Sequence, residues 1–372
     1  MRIRIITDDF TSALDGTASF AARGWETAVL IRPDSTHPAA VASLDTNSRE
    51  SPLPLDHDVI ANAATSWRDA DVLAVQFDST LRGRVARDCL AALGASGRRK
   101  LLIAPAFPSA GRTVEGGRVY VDGVPVNETA FGRDPTLPVR ESSVPALFRA
   151  HGMGVNVARD AVHARTLLLA HDAVVVDART EAELDAIATF FAGERDLLLA
   201  GSTGLLRALA RVLPCPQAVP DDPCADHPPA SALIAHARRP WLVVGSANPR
   251  SRRQLAVAQT QGGIDVLATD NTRLPTTAAQ QAALRDLVLR VVDAVNSGTC
   301  DALVVTGGET ARRIIDALPA VSLRVSREVM PGVPLAMVRT ATRAFPMITK
   351  AGGFGDDDAL ITCYHLLIGT KP

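Results

Sequence analysis

The sequence predicts an α/β protein of two Rossmann-like three-layer domains, whose mainly parallel sheets face each other across a cleft. Short apolar runs alternate with Ala-, Leu- and Arg-rich stretches of helical period along almost the whole chain, a pattern typical of parallel strands covered by helices. The length of 372 residues exceeds what one hydrophobic core usually fills, so two domains are expected.

The first domain is predicted from six apolar runs and one hairpin. The runs are, in chain order, RIRII, TAVLI, VLAVQF, KLLIAP, DAVVVDA and DLLLAG. After the fourth run, RTVEGGRVYVDGVPV alternates apolar and polar residues around Gly turns, which predicts a hairpin that projects from the sheet. These elements assign residues 1–213 to the N-terminal domain.

The second domain is predicted from a break in composition and four further runs. Residues 214–230, PCPQAVPDDPCADHPPA, are rich in proline and acidic residues and lack apolar periodicity, so they are predicted to form a linker. Residues 231–372 then form the C-terminal domain, with strands at WLVVG, DVLAT and ALVVTG and a final strand near PLAMV. A cleft between the domains is the expected ligand site.

Composition and charge exclude several classes of function. A net charge of −1 and 4% aromatic residues provide neither the basic surface nor the stacking side chains of a nucleic-acid-binding protein. No signal segment or membrane span is recognisable, so a soluble cytoplasmic enzyme is expected. The five cysteines contain no CxxC pair and no histidine has a partner at metal-ligand spacing, so metal ligands stay unassigned.

The stretch TDDFTSALDG places two adjacent carboxylates, Asp8 and Asp9, directly after the first strand. At the carboxyl end of a parallel strand they would project to the edge where α/β sheets bind ligands. Asp9 or Thr11 could equally cap the helix that follows. Taken alone, the stretch favours capping. Considered with the other polar loops and the family resemblance described below, it favours carboxylates that face a ligand, with Thr11 or Ser12 beginning the helix.

Three further polar loops follow strands of the first domain. Arginines bind carboxylates through their planar fork, and aspartates accept hydrogen bonds from hydroxyl groups. A pocket with both groups suits a small polyhydroxylated acid. The residues predicted to lie together at this edge are Asp8, Asp9, Arg49, Asp78, Ser79, Thr80, Arg82 and Arg112.

Three glycine-containing turns follow strands of the second domain. Glycines allow a phosphate to approach the backbone, and the N–H groups at a following helix N-terminus attract its charge. The turns match neither the Walker pattern nor the GxGxxG fingerprint, yet three together predict a site for a nucleotide triphosphate. The residues assigned to it are Ser246, Gly307, Gly308, Thr310, Lys350, Gly352, Gly353 and Gly355.

These motifs resemble the four-carbon acid sugar kinases, which phosphorylate threonate, erythronate or 3-oxo-tetronate with ATP. The resemblance extends nearly from end to end, through DDFTSALD, SR, FDSTLRG, PAFPSAGRTVEGGRVYVDGVPV, GSTGL, GS, GGETA, PGVP and TKAGGFGDDDAL. It implies an N-terminal domain that binds the sugar acid and a C-terminal domain that binds ATP. Ser12, Gln76 and Arg84 depart from the family pattern, which leaves the identity of the acid open.

The resemblance and the loops lead to one mechanistic hypothesis. The glycine turns and Lys350 hold the triphosphate, Mg²⁺ bridges its oxygens, and the first domain's arginines bind the substrate carboxylate. Asp9 and Asp78 are the two candidates for accepting the proton of the terminal hydroxyl. The run Asp356–Asp358 either contacts the metal or interacts favourably with the dipole of the following helix. A homodimer is the expected assembly.

Two other classes of protein remain open at this stage. An isomerase or aldolase of a phosphorylated sugar acid would use the glycine turns for the substrate's own phosphate and Lys350 as the reactive amine. A non-catalytic sugar-acid binding protein would also carry a polar cleft. Dependence on a nucleotide separates both from a kinase.

Overall fold

The structure is a computed structural model that describes residues 1–32, 34, 37–49, 55–134, 136–214, 237–269, 277–318 and 320–369. The chain divides into two compact units, Met1–Pro216 and Gln217–Pro372. Apart from Pro214, the segment predicted as a linker lies outside the described residues. The predicted domain boundaries and cleft stay predictions.

The first unit is built on a sheet of eight parallel strands, in the order β2-β3-β1-β4-β11-β5-β10-β9. Every residue of β1, β4 and β11 is buried, so both faces of the sheet are covered and the apolar runs need no alternation. Strands β6, β7 and β8 form a separate antiparallel sheet, which confirms the predicted hairpin region. The strands are β1 (Ile3–Thr7), β2 (Thr27–Leu30), β3 (Val41–Asp45), β4 (Val72–Gln76), β5 (Lys100–Ala104), β6 (Arg112–Glu115), β7 (Arg118–Val121), β8 (Val124–Pro125), β9 (Asn156–Ala158), β10 (Ala173–Val176) and β11 (Leu197–Gly201).

Several helices of the first unit begin at polar N-cap residues that hydrogen-bond to their first turn. Thr180 and Glu183 form a reciprocal capping box, and the side chain of Asp160 accepts a hydrogen bond from the backbone N–H of His163. Phe20 and Trp25 pack edge to face in the core, with ring centroids 6.1 Å apart. The helices are α1 (Phe10–Ala21), α2 (Leu55–Ser66), α3 (Val85–Ser96), α4 (Val144–Arg149), α5 (Ala161–Ala170), α6 (Glu181–Phe191) and α7 (Thr203–Val212).

The second unit combines parallel and antiparallel strands in the order β13-β12-β14-β17-β16-β15. Strands β13, β12, β14 and β17 are parallel, whereas β17, β16 and β15 form an antiparallel meander. The strands are β12 (Pro240–Val244), β13 (Asp265–Ala268), β14 (Ala302–Thr306), β15 (Ala320–Met330), β16 (Val333–Thr340) and β17 (Ala344–Lys350). The helices are α8 (Pro249–Gln259), α9 (Thr277–Ser297), α10 (Gly308–Ala317) and α11 (Ala359–Ile368).

The α/β class with mainly parallel sheets is confirmed, but the prediction of PLAMV as the final strand is wrong. That run lies in β16, and β17 follows it as the strand that ends at Lys350. AFPMITK carries a proline and little apolar periodicity, so its strand character depends on its long-range partners β14 and β16. Within the described ranges, no helix has both the length and the apolar character to cross a lipid bilayer.

Candidate functional site

Parallel strand ends bring the polar loops of the first unit to one edge of its sheet. Thr7, the last residue of β1, pairs with Asp45 at the end of β3 and with Gln76 at the end of β4. The loops that carry Asp8, Arg49 and Asp78 therefore leave the sheet side by side, as the sequence predicts.

Asp8, Asp9 and Arg49 form one ion-paired cluster at this edge. The Nε and Nη2 atoms of Arg49 lie 2.8 Å from the two carboxylate oxygens of Asp8, which is a bidentate pair. Nη1 of the same guanidinium lies 2.5 Å from Oδ2 of Asp9, and Nη2 donates to Oγ of Ser12 at 3.0 Å. A single arginine thus holds both carboxylates of the DD pair.

Asp9 caps helix α1, which confirms the capping interpretation of this stretch, whereas a ligand facing these carboxylates stays a prediction. Its Oδ1 accepts a hydrogen bond of 2.7 Å from the backbone N–H of Ser12. The helix begins at Phe10, and the prediction that Thr11 or Ser12 begins it is wrong. An extended backbone at Asp9 directs its side chain back over the first turn, which is the geometry of an N-cap.

The Asp8 carboxyl has a raised pKa because it is buried. Burial, opposed by the Arg49 guanidinium and supported by the neighbouring Asp9 carboxylate, raises its pKa from 3.8 to about 7. The cluster therefore contains a carboxyl that exchanges its proton near neutral pH.

Asp78 lies in a second cluster, where it is strongly bound by donors. Its Oδ2 accepts hydrogen bonds from Oγ1 of Thr80 and, at 2.7 Å, from Nε of Arg82. Burial alone would raise the pKa of Asp78, but Arg82, Arg49 and these hydrogen bonds outweigh it and hold the pKa well below its ordinary range. Ser79 is half-buried, and no hydrogen-bond partner for its side chain is found among the described residues.

Arg82 and Arg112 converge on one aromatic ring. Their guanidinium carbons lie 5.6 Å and 5.9 Å from the centroid of Phe131. Arg112 donates to the carbonyl of Ala110, and its buried Nε has no hydrogen-bond partner among the described residues. Burial lowers the pKa of Arg112. A buried guanidinium with an unused donor is suited to an incoming carboxylate.

The three glycine turns of the second unit also meet at one sheet edge. Val244, Thr306 and Lys350 are the last residues of β12, β14 and β17, and the register pairs Val244 with Thr306 and Thr306 with Lys350. The turns pack closely: a Cβ atom on Gly352 would lie 2.9 Å from Cβ of Asn248, and the space beside Gly245 is filled by Thr310. Gly307 has φ +109°, a conformation that side chains other than glycine rarely adopt.

The glycine loop 351–355, which connects β17 to the turn before α11, presents unused backbone donors. The N–H groups of Gly352, Gly353 and Gly355 have no acceptor among the described residues. These three N–H groups, beside the N-termini of helices α8 and α10, are suited to bind an anion. Ser246 lies at the same edge, where its Oγ accepts from the backbone N–H of Asn248 at 3.2 Å.

Lys350, which the sequence predicts as a phosphate ligand, is buried and bonded to the glycine loop. Its side chain is 1% exposed, and its ammonium donates to the carbonyls of Ala351 and Phe354 at 3.1 Å each. This environment does not suit the reactive amine of an aldolase, because the nitrogen is enclosed and engaged. Binding of the triphosphate by Lys350 stays a prediction.

A cavity of about 300 Å³ lies beside the glycine loop. It is lined by Arg250, Arg253, Gly355, Asp356 and Asp357. Nε of Arg253 lies 3.4 Å from Oδ1 of Asp357, so that carboxylate already has a cationic partner. No cluster of three or more His, Cys, Asp or Glu side chains suited to a metal is found in the described part of the chain.

Sequence reasoning missed two buried polar residues of helix α8. Ser251 and Gln254 are fully buried and donate to carbonyl groups of the glycine loop. A lone serine or glutamine in a helix is usually exposed, so their position in NPRSRRQ carries no signal.

Comparison with known proteins gives matches to both halves of the chain. Residues 3–209 match a family model described as a sugar-binding N-terminal domain, and residues 276–360 match one described as a nucleotide-binding C-terminal domain. A D-threonate kinase of Bordetella bronchiseptica is 31% identical, with 96% of each chain covered. A D-threonate kinase of Salmonella typhimurium is 29% identical over 99% of this chain and 98% of its own. A crystal structure from Salmonella typhimurium LT2 shares the fold with a TM-score of 0.79 at 19% identity, covering 97% and 98% of the two chains.

Proposed function

Because the chain belongs to the four-carbon acid sugar kinase family, we propose that it transfers the γ-phosphoryl group of ATP to the terminal hydroxyl of a four-carbon sugar acid. The observation that carries the proposal is the pair of strand-edge sites, one with paired carboxylates and arginines and one with free glycine N–H groups. D-threonate is the first acceptor to test, since the relatives described above are D-threonate kinases.

In this proposal the first unit binds the sugar acid through two neighbouring clusters. Arg112, with its unused Nε, and Arg82 bind the carboxylate above the Phe131 ring. The cluster of Asp8, Asp9 and Arg49 binds the hydroxyl end of the sugar acid. The two clusters are close enough that Arg49 also lowers the pKa of Asp78, so they suit the two ends of one small molecule.

The second unit binds the triphosphate through backbone donors. The N–H groups of Gly352, Gly353 and Gly355 bind phosphate oxygens, and the N-termini of α8 and α10 add favourable dipoles. Mg²⁺, when bound, neutralises charge on the phosphate oxygens and needs only one or two protein carboxylates. Asp356 and Asp357 line the adjacent cavity and fit that small donor set.

Phosphoryl transfer requires mainly positioning and charge stabilisation, so the proton acceptor needs an accessible carboxylate. The side chain of Asp9 is 24% exposed, compared with 13% for Asp78 and 5% for Asp8. Asp78 is held ionised by its donors and is a weak base. We therefore assign the acceptor role to Asp9 and an orienting role to Asp78.

The proposal is tested by measuring ADP release from Mg²⁺ and ATP, with and without each acid. The panel contains threonate, erythronate and 3-oxo-tetronate in both enantiomeric series. Release that depends on one acid supports the kinase and identifies its acceptor. Absence of both ATP binding and acid-dependent release rejects it in favour of a binding protein or an isomerase.

Asp9→Asn is expected to lower kcat by about 10²–10⁴-fold, with a smaller loss of stability than Arg49→Ala, because Arg49 keeps its bidentate pair with Asp8. Asparagine caps a helix about as well as aspartate, so α1 keeps its N-cap while the charged acceptor is removed. Steady-state kinetics and thermal melting measure the two effects. Asp78→Asn serves as the comparison, and a larger loss of kcat in that variant than in Asp9→Asn would reverse the assignment.

A further inference from the structure

The carbonyl groups of the glycine loop are all held by side chains of the second unit. Lys350 donates to the carbonyls of Ala351 and Phe354, each at 3.1 Å. Nε2 of Gln254 lies 3.0, 3.1 and 2.6 Å from the carbonyl oxygens of Phe354, Gly355 and Asp356, which share its two N–H groups. Ser251 donates to Gly352 at 2.9 Å, and Arg250 donates to Gly353 at 3.1 Å. Six consecutive carbonyl oxygens, residues 351–356, therefore accept bonds from side chains.

The held carbonyls determine where the loop's N–H groups point. In a planar trans peptide, the carbonyl of one residue and the N–H of the next residue point in opposite directions. The held carbonyl of Ala351 therefore turns the N–H of Gly352 away from Lys350. The carbonyls of Gly352 and Phe354 do the same for the N–H groups of Gly353 and Gly355. None of these three N–H groups has an acceptor among the described residues.

The Lys350 ammonium is a buried charge without a carboxylate partner among the described residues. Lys350 is only 1% exposed. The groups that act on it are the Cys363 thiol of helix α11 and the Arg250 guanidinium of helix α8. A buried cation that is balanced only by carbonyl dipoles favours an anion on the opposite side of those peptides.

We propose that Lys350 and Gln254 are positioning residues of the nucleotide site, which hold the loop's carbonyls inward so that its N–H groups bind the phosphates. Lys350 acts through the loop and does not contact the phosphates. This inference rests on the proposed function, because the anion is taken to be the triphosphate of ATP.

The test is a double-mutant cycle with Lys350→Met, Gln254→Leu and the double variant. Isothermal calorimetry at pH 7 measures the Kd for ATP with Mg²⁺. Each single variant is expected to weaken binding by about 10- to 100-fold, the effect of losing hydrogen bonds from a charged or buried donor. The double variant is expected to bind within about threefold of the weaker single variant, because both residues act on the same loop and share the Phe354 carbonyl.

Matched controls separate this role from general effects of the substitutions. Lys100→Met removes a lysine of the first unit, and Gln259→Leu changes an exposed glutamine of helix α8 itself. Both are expected to bind ATP as the wild type does. In the single variants, the KM for the sugar acid is expected to stay unchanged, since its site lies in the first unit.

A pH profile of the wild type tests the same role without any substitution. Burial lowers the pKa of Lys350 to about 8, whereas the pKa of Cys363 is raised to about 12 and its thiol stays protonated. As the pH rises from 7 to 9 the Lys350 ammonium loses its proton, so ATP affinity is expected to fall. The profile of Lys350→Met is expected to be flat over the same range.

Three results would overturn the inference. They are wild-type affinity in either single variant, a double variant whose loss is the product of the two single losses, and a wild-type affinity that does not change between pH 7 and 9. If Lys350→Met binds ATP weakly and Gln254→Leu binds it normally, Lys350 would instead contact the phosphates directly. A wild-type protein that fails to bind ATP at all would instead reject the proposed function.

Discussion

Gly352→Val is expected to abolish ATP binding while the protein stays folded. A Cβ atom at this position would collide with Oγ of Ser246 and lie 2.9 Å from Cβ of Asn248, and valine adds two methyl groups to that collision. Either the loop or the turn after β12 must move, and both contribute to the same edge of the sheet. We expect the Kd for ATP to rise more than 100-fold, because the phosphates lose several aligned donors at once.

Gly262→Val is the matched control for this substitution. Gly262 lies in an exposed turn of the same unit, has no positive φ, and no heavy atom lies within 4 Å of its added Cβ atom. Calorimetric titration with ATP should therefore give a wild-type Kd for Gly262→Val. Thermal melting checks that both variants are folded. Normal ATP affinity in a folded Gly352→Val protein would remove the glycine loop from the nucleotide site.

Arg49→Ala is expected to abolish acid-dependent ADP release and to destabilise the first unit. The side chain is 12% exposed and is bonded to both carboxylates of the DD pair. Removing one partner from a buried ion pair costs about 3–5 kcal/mol in the free energy of unfolding, since the remaining charges lose their compensation. ATP affinity is expected to stay unchanged, because the substitution lies outside the second unit.

The destabilisation of Arg49→Ala is expected to be smaller at pH 5 than at pH 8. The folded-state pKa of Asp8 is already raised to about 7 from an ordinary value of 3.8, and loss of the guanidinium raises it further. A raised folded pKa contributes stability below the unfolded value that is lost as the pH rises through the folded value. Urea denaturation at the two pH values measures the difference.

Arg99→Ala provides the control for Arg49→Ala. Arg99 is an arginine of the same unit that pairs with Asp196, but its side chain is 75% exposed. Exposed ion pairs contribute little to the free energy of unfolding, so Arg99→Ala should unfold close to the wild type at both pH values and keep its turnover. An Arg49→Ala protein with normal acid-dependent turnover would exclude the DD–Arg cluster from the substrate site.

The positions of candidate residues could be predicted where they depend on neighbouring residues in the sequence. Asp8 and Asp78 each follow an apolar run, and parallel strands bring their carboxyl ends to one edge. The same rule predicted that Ser246 and Gly307 would follow strand ends, whereas β17, the strand that ends at Lys350, was not predicted. The burial of Lys350 was not predictable, because the sequence does not say which way a side chain at a strand end turns.

The sequence by itself determined the α/β class, most strands, and the two sets of polar loops, because apolar runs, glycines and caps act over a few residues. Only the tertiary structure decided that one arginine holds both aspartates. It also decided that Gln254 and Lys350 bond the carbonyls of the glycine loop. Gln254 is separated from these carbonyls by about a hundred residues, and the sheet between them sets their distance.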